Sequence, residues 1–555
     1  MNEISILIGG KAGFGIDKSG SIIGRLLNGL GYRIFIYRDY PSVIRGGHTF
    51  SIIRASNNRI AACQDKVDLV IALNQETLNL HKSRLKKECL FVFDSGQVKP
   101  EAAGTCGIGI PLSQYLKEEN APEIMRNSCI IGAMAKAIGI NFDFLEGVLK
   151  KEFSKEAELN IKVARRGFDG GKEFIKINPL GRGGLPLITG NEAVALGLIK
   201  GGLNAYIAYP MTPSSPILHY LAEAAESFSL KVIHPESEIS AILIALGFSY
   251  TGKKAAVGTS GGGFCLMTEG ISFSGMAELP VVIVLGQRPG PSTGLPTYSS
   301  QTELHFALHA GQGEFIRFIV APGDAEEAYY WSAISLKMSY KYQIPAIILT
   351  DTHLAESAFS FDMKMVDEIA EEAPLLWDRN YSYKRYLLTE NGVSPLAFAG
   401  DKHAIIKVNS YEHDEFGITT ENPEQAKLMQ DKRLGKEKFL AEDLEKLSAV
   451  KVYGNNNSEI ALLCWGSNKG VCIEAARKFG LKVVQPLVIN PFPLKQFREA
   501  LSGVKKLICV EGNATGQLAR LIREYGFNTN EAILKYDGRP FSIDELEARI
   551  REAIR

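Results

Sequence analysis

Short apolar runs alternate with amphipathic stretches of helical length along most of this chain. ISILIGG is followed by the helix-length SIIGRLLNGLG and then by RIFIYR; DLVIALN and LFVFDS continue the rhythm. Apolar runs this short, bounded by Gly, Pro and Asn, read as strands, and the 3.6-period stretches between them as helices. Strand and helix in turn predict α/β units with largely parallel sheets. The first unit spans residues 1–182 and closes in a Gly/Pro-rich linker, NPLGRGGLP. A second, over 183–360, contains the strands AYIA, AAVGTS, PVVIVLG and PAIILT. Residues 361–450 are polar and charge-rich with little periodicity, which predicts an ordered connection with some helix. Alternation returns over 451–555 in EIALLCW, VCIEAARKFG, KVVQPLVI, KKLICVE and QLARLIREYG.

Composition narrows the class. The 555 residues are 45% hydrophobic and 22% charged, as in ordinary globular proteins. Lys+Arg and Asp+Glu are balanced at 62 each, so no global basic field draws nucleic acid or an anionic membrane. The eight cysteines include no CxxC, which fits a reducing cytoplasm and supplies no closely spaced iron–sulfur ligands. The N-terminus lacks the basic segment of a signal peptide. No apolar run nears the roughly 18–20 residues that cross a bilayer.

Several motifs carry candidate chemistry. The turn Gly9-Gly10-Lys11-Ala12-Gly13-Phe14-Gly15 joins a strand to a helix and can present backbone N–H groups to a phosphate. It is neither an NTPase P-loop nor a spaced GxGxxG, and a plain tight strand–helix turn is the favoured reading of these residues alone. His305 and His309 have metal-pair spacing but no glutamate between them and no evident third ligand, so they read as a packed or surface pair. No GxSxG marks a hydrolase.

The central unit is richer. Tyr209-Pro210-Met211-Thr212-Pro213-Ser214-Ser215-Pro216 follows a strand, and reads either as a polar ligand loop or as a turn capping a helix through Ser214 or Ser215. Glu238 opens the helix EISAILIALGFSY, apolar almost all round and therefore expected to be buried. The helix dipole favours a carboxylate there. Thr259-Ser260-Gly261-Gly262-Gly263 and Gln287-Arg288-Pro289-Gly290 follow two further strands. Small or polar loops on consecutive strand ends are how open α/β sheets build sites.

At these residues the chain resembles the 2-oxoacid:ferredoxin oxidoreductases whose α subunit carries an N-terminal γ domain. The first unit resembles the γ domain through GGKAGFGI, Tyr40-Pro41 and Arg45-Gly46-Gly47-His48. The second resembles a thiamine-diphosphate pyrimidine-binding domain through GNEAVALG, YPMTPSSP, PESEISA, TSGGGFCLMTEG and QRPGPSTGLPT. HDEFG (413–417) and DKR (431–433) fit the connection, and EGNATGQL (511–518) fits a transketolase C-terminal type domain. The resemblance implies CoA-dependent oxidative decarboxylation of a 2-oxoacid, with electrons passed to ferredoxin. Glu238 then bonds the aminopyrimidine of thiamine diphosphate, Ser260 and Gly261 face that ring, and Thr212 and Arg288 bind the 2-oxoacid. The marks for Mg2+, the diphosphate and a 4Fe–4S cluster are missing from the chain, and the resemblance places them on a separate β subunit.

Departures bear on specificity. Met211 stands where isoleucine is usual and Gly262 where proline is usual; Tyr298-Ser299-Ser300 replaces a common basic residue and glutamate. Fused γ–α chains include 2-oxoglutarate and broader 2-oxoacid enzymes, and the reading leans to 2-oxoglutarate or a related acid. Two rivals are a ligase using CoA or a nucleotide at the N-terminal turn and a degenerate assembly subunit. The first lacks a phosphohistidine or P-loop motif, and the retained Glu238, Thr212 and Arg288 oppose the second.

Overall fold

The computed structural model describes residues 2–42, 46–99, 106–153, 155–370 and 372–555; Arg45 of the N-terminal motif lies outside them. The chain divides into two compact units, one of residues 1–188, 356–362 and 541–548, the other of 189–355, 363–540 and 549–555.

The first unit is built on an eight-stranded sheet. Its order is Cys106–Ile110, Leu85–Asp94, Val67–Ala72, Glu3–Lys11, His48–Ser56, Arg33–Asp39, Ala358–Ser360 and Leu187–Thr189. The first four strands are parallel, but Glu3–Lys11 runs antiparallel to His48–Ser56 with Ile6 opposite Ile53, and Arg33–Asp39 runs antiparallel to the same strand. The half-parallel sheet follows from chain length. The few residues between Asp39 and His48 are too few for the helical crossover that a parallel pair needs.

The Gly-rich turn enters the helix Ile16–Gly29 through Gly15, whose φ of 69° suits glycine, and Asn127 Nδ2 closes it by donating to the Phe14 carbonyl at 2.6 Å. Behind the sheet the helices Arg126–Ala137 and Ala157–Asp169 cross so closely that glycine is needed on both. A Cβ at Gly132 would lie 2.0 Å from the Ala164 carbonyl oxygen, and one at Gly167 1.9 Å from that of Cys129. Backbone cannot rotate away as a side chain can. Gly132→Ala is therefore expected to cost about 1–3 kcal/mol and lower the thermal midpoint of the full chain; an unchanged midpoint would refute the close crossing.

The second unit holds two sheets. The seven-stranded one has the order Val488–Asn490, Phe318–Val320, Pro345–Asp351, Val281–Gln287, Ala255–Ser260, Ala205–Ile207, Lys231–Ile233, and is parallel except at Val488–Asn490. In the five-stranded one only Val450–Gly454 is antiparallel. The central strands are continuous runs of Val, Ile and Leu because helices cover both faces. One apolar core runs from Val257, Phe264 and Ile283 to Trp465, Val484 and Leu518.

Helix starts follow local chemistry. Thr189 and Glu192 form a reciprocal capping box at the head of GNEAVALG, and Asp324 caps the helix Ala325–Tyr342. Residues 363–370 and 372–422 are mostly irregular, with short turns, and are followed by the helix Pro423–Leu444. All eight cysteines are free thiols. Among the described residues no helix is long and apolar enough to cross a membrane.

Candidate active site

Parallel pairing aligns the loops that matter. Val257 sits opposite both Ile207 and Ile283, so the chain leaves three adjacent strands at one sheet edge, and Lys231–Ile233 adds a fourth. The 209–216 loop leaves from the strand Ala205–Ile207. Ser214 does not cap the following helix; its hydroxyl turns back to donate to the Met211 carbonyl at 2.9 Å. Asn191 Nδ2 holds the Pro213 carbonyl at 2.9 Å, and Arg288 Nη1 holds that of Thr212 at 2.9 Å. A Cβ on Gly262 would lie 3.8 Å from Met211 Cε and 3.9 Å from the Ser292 carbonyl oxygen, so three loops meet over that residue.

Glu238 begins the helix Glu238–Tyr250, capped by Ser237, whose Oγ accepts from the Ser240 N–H. Its side chain rests on the first turn of the helix Gly261–Ala277. A Cβ on Gly263 would meet Glu238 Oε1 at 2.6 Å and Thr259 Oγ1 at 2.2 Å. Glu238 is 5% exposed, and no hydrogen bond engages its carboxylate among the described residues. Ser260 Oγ is buried without a partner, as is Tyr206 Oη in the core against Gly258. Buried polar groups are nearly always satisfied, so the orphaned Ser260 hydroxyl suits a ligand with polar atoms.

Arg288 is 8% exposed and its Nε has no partner. Burial draws the guanidinium below its ordinary pKa, and Glu303 opposes that shift. Thr212, Glu238, Ser260, Gly261 and Arg288 thus share one sheet edge. One expectation is revised. The helix Glu238–Tyr250, apolar all round, exposes Ile239 (49%) and Leu243 (43%), and the neighbouring helix exposes Leu266 (49%).

Glu303 joins the group unannounced by any motif. A Cβ on Gly261 would lie 2.8 Å from its Oε1, which accepts from Thr302 Oγ1 at 2.9 Å, while Oε2 is buried without a partner. Burial pushes this carboxyl up to about 7, against the pull of Thr302 and Arg288. Gln301 fixes the segment. It bonds the Trp465 carbonyl at 2.7 Å, Asn468 at 2.7 Å and the Gly512 N–H at 2.8 Å, and Gln517 holds the Thr302 carbonyl at 2.7 Å. So EGNATGQ of the last sheet braces the site loop. Arg539 stacks over Tyr298, 3.6 Å from the ring centroid. His305 and His309 stack on one another, with His305 Nε2 3.0 Å from the Gln517 carbonyl.

Comparison with known proteins decides the family. Residues 196–431 match the family described as pyruvate flavodoxin/ferredoxin oxidoreductase, thiamine diP-bdg, and residues 5–170 match pyruvate ferredoxin/flavodoxin oxidoreductase. The chain is 30% identical to the 2-oxoacid:ferredoxin oxidoreductase subunit alpha of Saccharolobus solfataricus, over 100% of this chain and 98% of that one. The chain belongs to the 2-oxoacid:ferredoxin oxidoreductase α-subunit family. A solved 2-oxoglutarate:ferredoxin oxidoreductase from Magnetococcus marinus, with 2-oxoglutarate, coenzyme A and succinyl-CoA bound, matches at a TM-score of 0.91, 30% identity and 100% coverage of both chains. A 2-oxoglutarate synthase subunit KorA from Archaeoglobus fulgidus is 34% identical over 42% of this chain and 68% of its own. As a 2-oxoacid:ferredoxin oxidoreductase α subunit, the chain is part of an oxidoreductase, and the sheet edge described above lies within its thiamine-diphosphate family match.

Proposed function

We propose that this chain is a γ–α subunit that converts a 2-oxoacid and CoA to acyl-CoA and CO2, passing the electrons to ferredoxin. The observation that carries the reading is the Glu238 carboxylate, set against Gly263 with no hydrogen-bond partner among the described residues, at the same sheet edge as Arg288 on Thr212. Thiamine diphosphate, when bound, supplies the nucleophilic carbon and the electron sink. Glu238 accepts a hydrogen bond from its aminopyrimidine and thereby holds a proton where the ring needs it. Ser260 and Gly261 face that ring. Arg288 presents its guanidinium fork to the 2-oxoacid carboxylate, and Thr212 lies beside the keto group.

A β subunit holds the diphosphate, Mg2+ and a 4Fe–4S cluster and completes the site at the interface. The exposed Ile239, Leu243 and Leu266, on helices that open at the site, support such a partner. Free thiols suit a reducing cytoplasm. The preferred acid is 2-oxoglutarate or a close relative. The Magnetococcus marinus protein carries that acid, and Arg539 over Tyr298 brings a cation to the stretch where this sequence lacks the usual basic residue.

The test is co-expression with the β subunit and viologen reduction over a panel of 2-oxoacids, with and without CoA. CoA-dependent reduction, greatest with 2-oxoglutarate, is expected. No reduction by a complex with intact cluster and cofactor would overturn the reading.

A further inference from the structure

Three glycines in a row open the helix Gly261–Ala277, and they are not equivalent. A Cβ on Gly261 would lie 2.8 Å from Glu303 Oε1, and one on Gly263 would lie 2.2 Å from Thr259 Oγ1 and 2.6 Å from Glu238 Oε1. A side chain at either position would push a carboxyl of the site aside. At Gly262 the same methyl group would make ordinary contacts only, 3.8 Å from Met211 Cε and 3.9 Å from the Ser292 carbonyl oxygen. Apart from its own helix, nothing else among the described residues comes within 4 Å. Gly262 is exposed, so the space over its Cα is a gap with two walls, a thioether methyl and a backbone carbonyl. Both walls are anchored. The Met211 carbonyl accepts from the Ser214 N–H at 2.9 Å, the Ser215 N–H at 3.1 Å and the Ser214 hydroxyl at 2.9 Å. The loop that carries Ser292 is closed by the Leu295 N–H, which donates to the Pro289 carbonyl at 2.9 Å. Arg288 Nη1, donating to the Thr212 carbonyl at 2.9 Å, ties the two loops together.

We propose that the gap over Gly262 takes the first carbons of the 2-oxoacid's side chain, and that Met211 and Gly262 set how much bulk beyond the keto carbon the enzyme accepts. The proposal rests on the assignment of Thr212 and Arg288 to the acid. Met211 immediately precedes Thr212, and Ser292 lies four residues beyond Arg288. The gap is therefore bounded by the same two loops that hold the keto group and the carboxylate. An acid held by both presents its remaining substituent between them. The walls suit carbon. A methylene gains dispersion contact with Met211 Cε, whereas a carboxylate would face the Ser292 carbonyl oxygen, an acceptor with no proton to give. An acidic end group therefore lies beyond the gap, and only carbon passes over Gly262. The methionine wall is unbranched and adaptable, so it limits bulk more than shape.

The experiment uses the complex with its β subunit and compares kcat/KM for viologen reduction with pyruvate, 2-oxobutyrate, 2-oxoglutarate and the branched 3-methyl-2-oxobutanoate. Gly262→Ala, whose methyl group the protein itself accommodates, is expected to lower the ratio of each longer acid to pyruvate by about 10–200-fold, the worth of one methylene in an apolar pocket. Met211→Ala removes a wall. It is expected to raise the ratio of the branched acid to 2-oxobutyrate, or to admit a branched acid that the wild type refuses. A merely structural defect would lower all acids by one factor and could not shift the two ratios in opposite directions. Ratios in Gly262→Ala within about twofold of wild type would overturn the proposal. So would a common loss on every acid with a higher thiamine diphosphate requirement, which would give the gap to the cofactor. Met211→Ala without gain on the branched acid would remove Met211 from the wall. Arg288→Gln separates this proposal from the reading beneath it. If that variant turns over the acids as wild type does, the assignment of Arg288 itself fails. If it loses about tenfold or more in kcat/KM while Gly262→Ala leaves the ratios unchanged, only the gap fails.

Discussion

Replacing Glu238 by glutamine in the assembled complex is expected to lower 2-oxoacid-driven viologen reduction by about 10²–10⁴-fold, the range in which a positioned acid–base group contributes. The geometry explains why so small a change should matter. Gln is isosteric, so the contact with Gly263, where an added Cβ would be 2.6 Å from Oε1, is kept. What changes is the charge and one acceptor: one carboxylate oxygen becomes an NH2 donor, so the proposed contact with the ring loses its anion. Thermal unfolding and co-purification with the β subunit should be unchanged, because no protein hydrogen bond to the carboxylate is lost among the described residues. Turnover within twofold of wild type would remove Glu238 from the chemistry.

The legible part of this molecule was its punctuation. Tyr209–Pro216, Thr259–Gly263 and Gln287–Gly290 each follow an apolar run and begin with residues that stop a strand, so their place at strand ends could be read directly. That they meet over Gly262 needed the strand order, in which Ala255–Ser260 lies between Ala205–Ile207 and Val281–Gln287. Glu303 was missed because nothing local marks it; its importance comes from Gly261, 42 residues away in sequence, and from bracing by the 511–517 segment. The helix Glu238–Tyr250 reads as buried from its composition, yet periodicity describes what a helix can bury and not which molecule covers it. Its exposed Ile239 and Leu243 are what the proposed partner chain would cover. The antiparallel half of the first sheet depended on a short connection, a weaker signal than the strand pattern itself.

The largest expected loss of stability comes from the polar stretch that showed no core-like pattern. Glu278 ends the helix Gly261–Ala277 with a φ of 50° and is 1% exposed. Lys432 Nζ donates to both its oxygens at 2.7 Å, and Lys436 Nζ donates to Oε2. Arg385 Nη2 holds its backbone carbonyl at 2.8 Å. Burial alone would raise this carboxyl, but Lys432, Lys436 and Arg385 together hold it below its ordinary value. A depressed carboxyl contributes fully above its unfolded pKa, about 4.3, and the contribution fades as pH falls below it. Glu278→Gln would leave two buried ammonium groups facing a neutral amide. Breaking a buried pair by removing one partner costs about 3–5 kcal/mol, a large share of the roughly 5–15 kcal/mol that holds a domain folded. The variant is expected to accumulate poorly and unfold at a markedly lower temperature. Combining it with Lys432→Met and Lys436→Met should recover most of the loss, because the cost lies in uncompensated charge and not in a cavity. If the triple variant is no more stable than Glu278→Gln alone, the charge argument fails, and the tie between this helix end and the helix Pro423–Leu444 must come from packing.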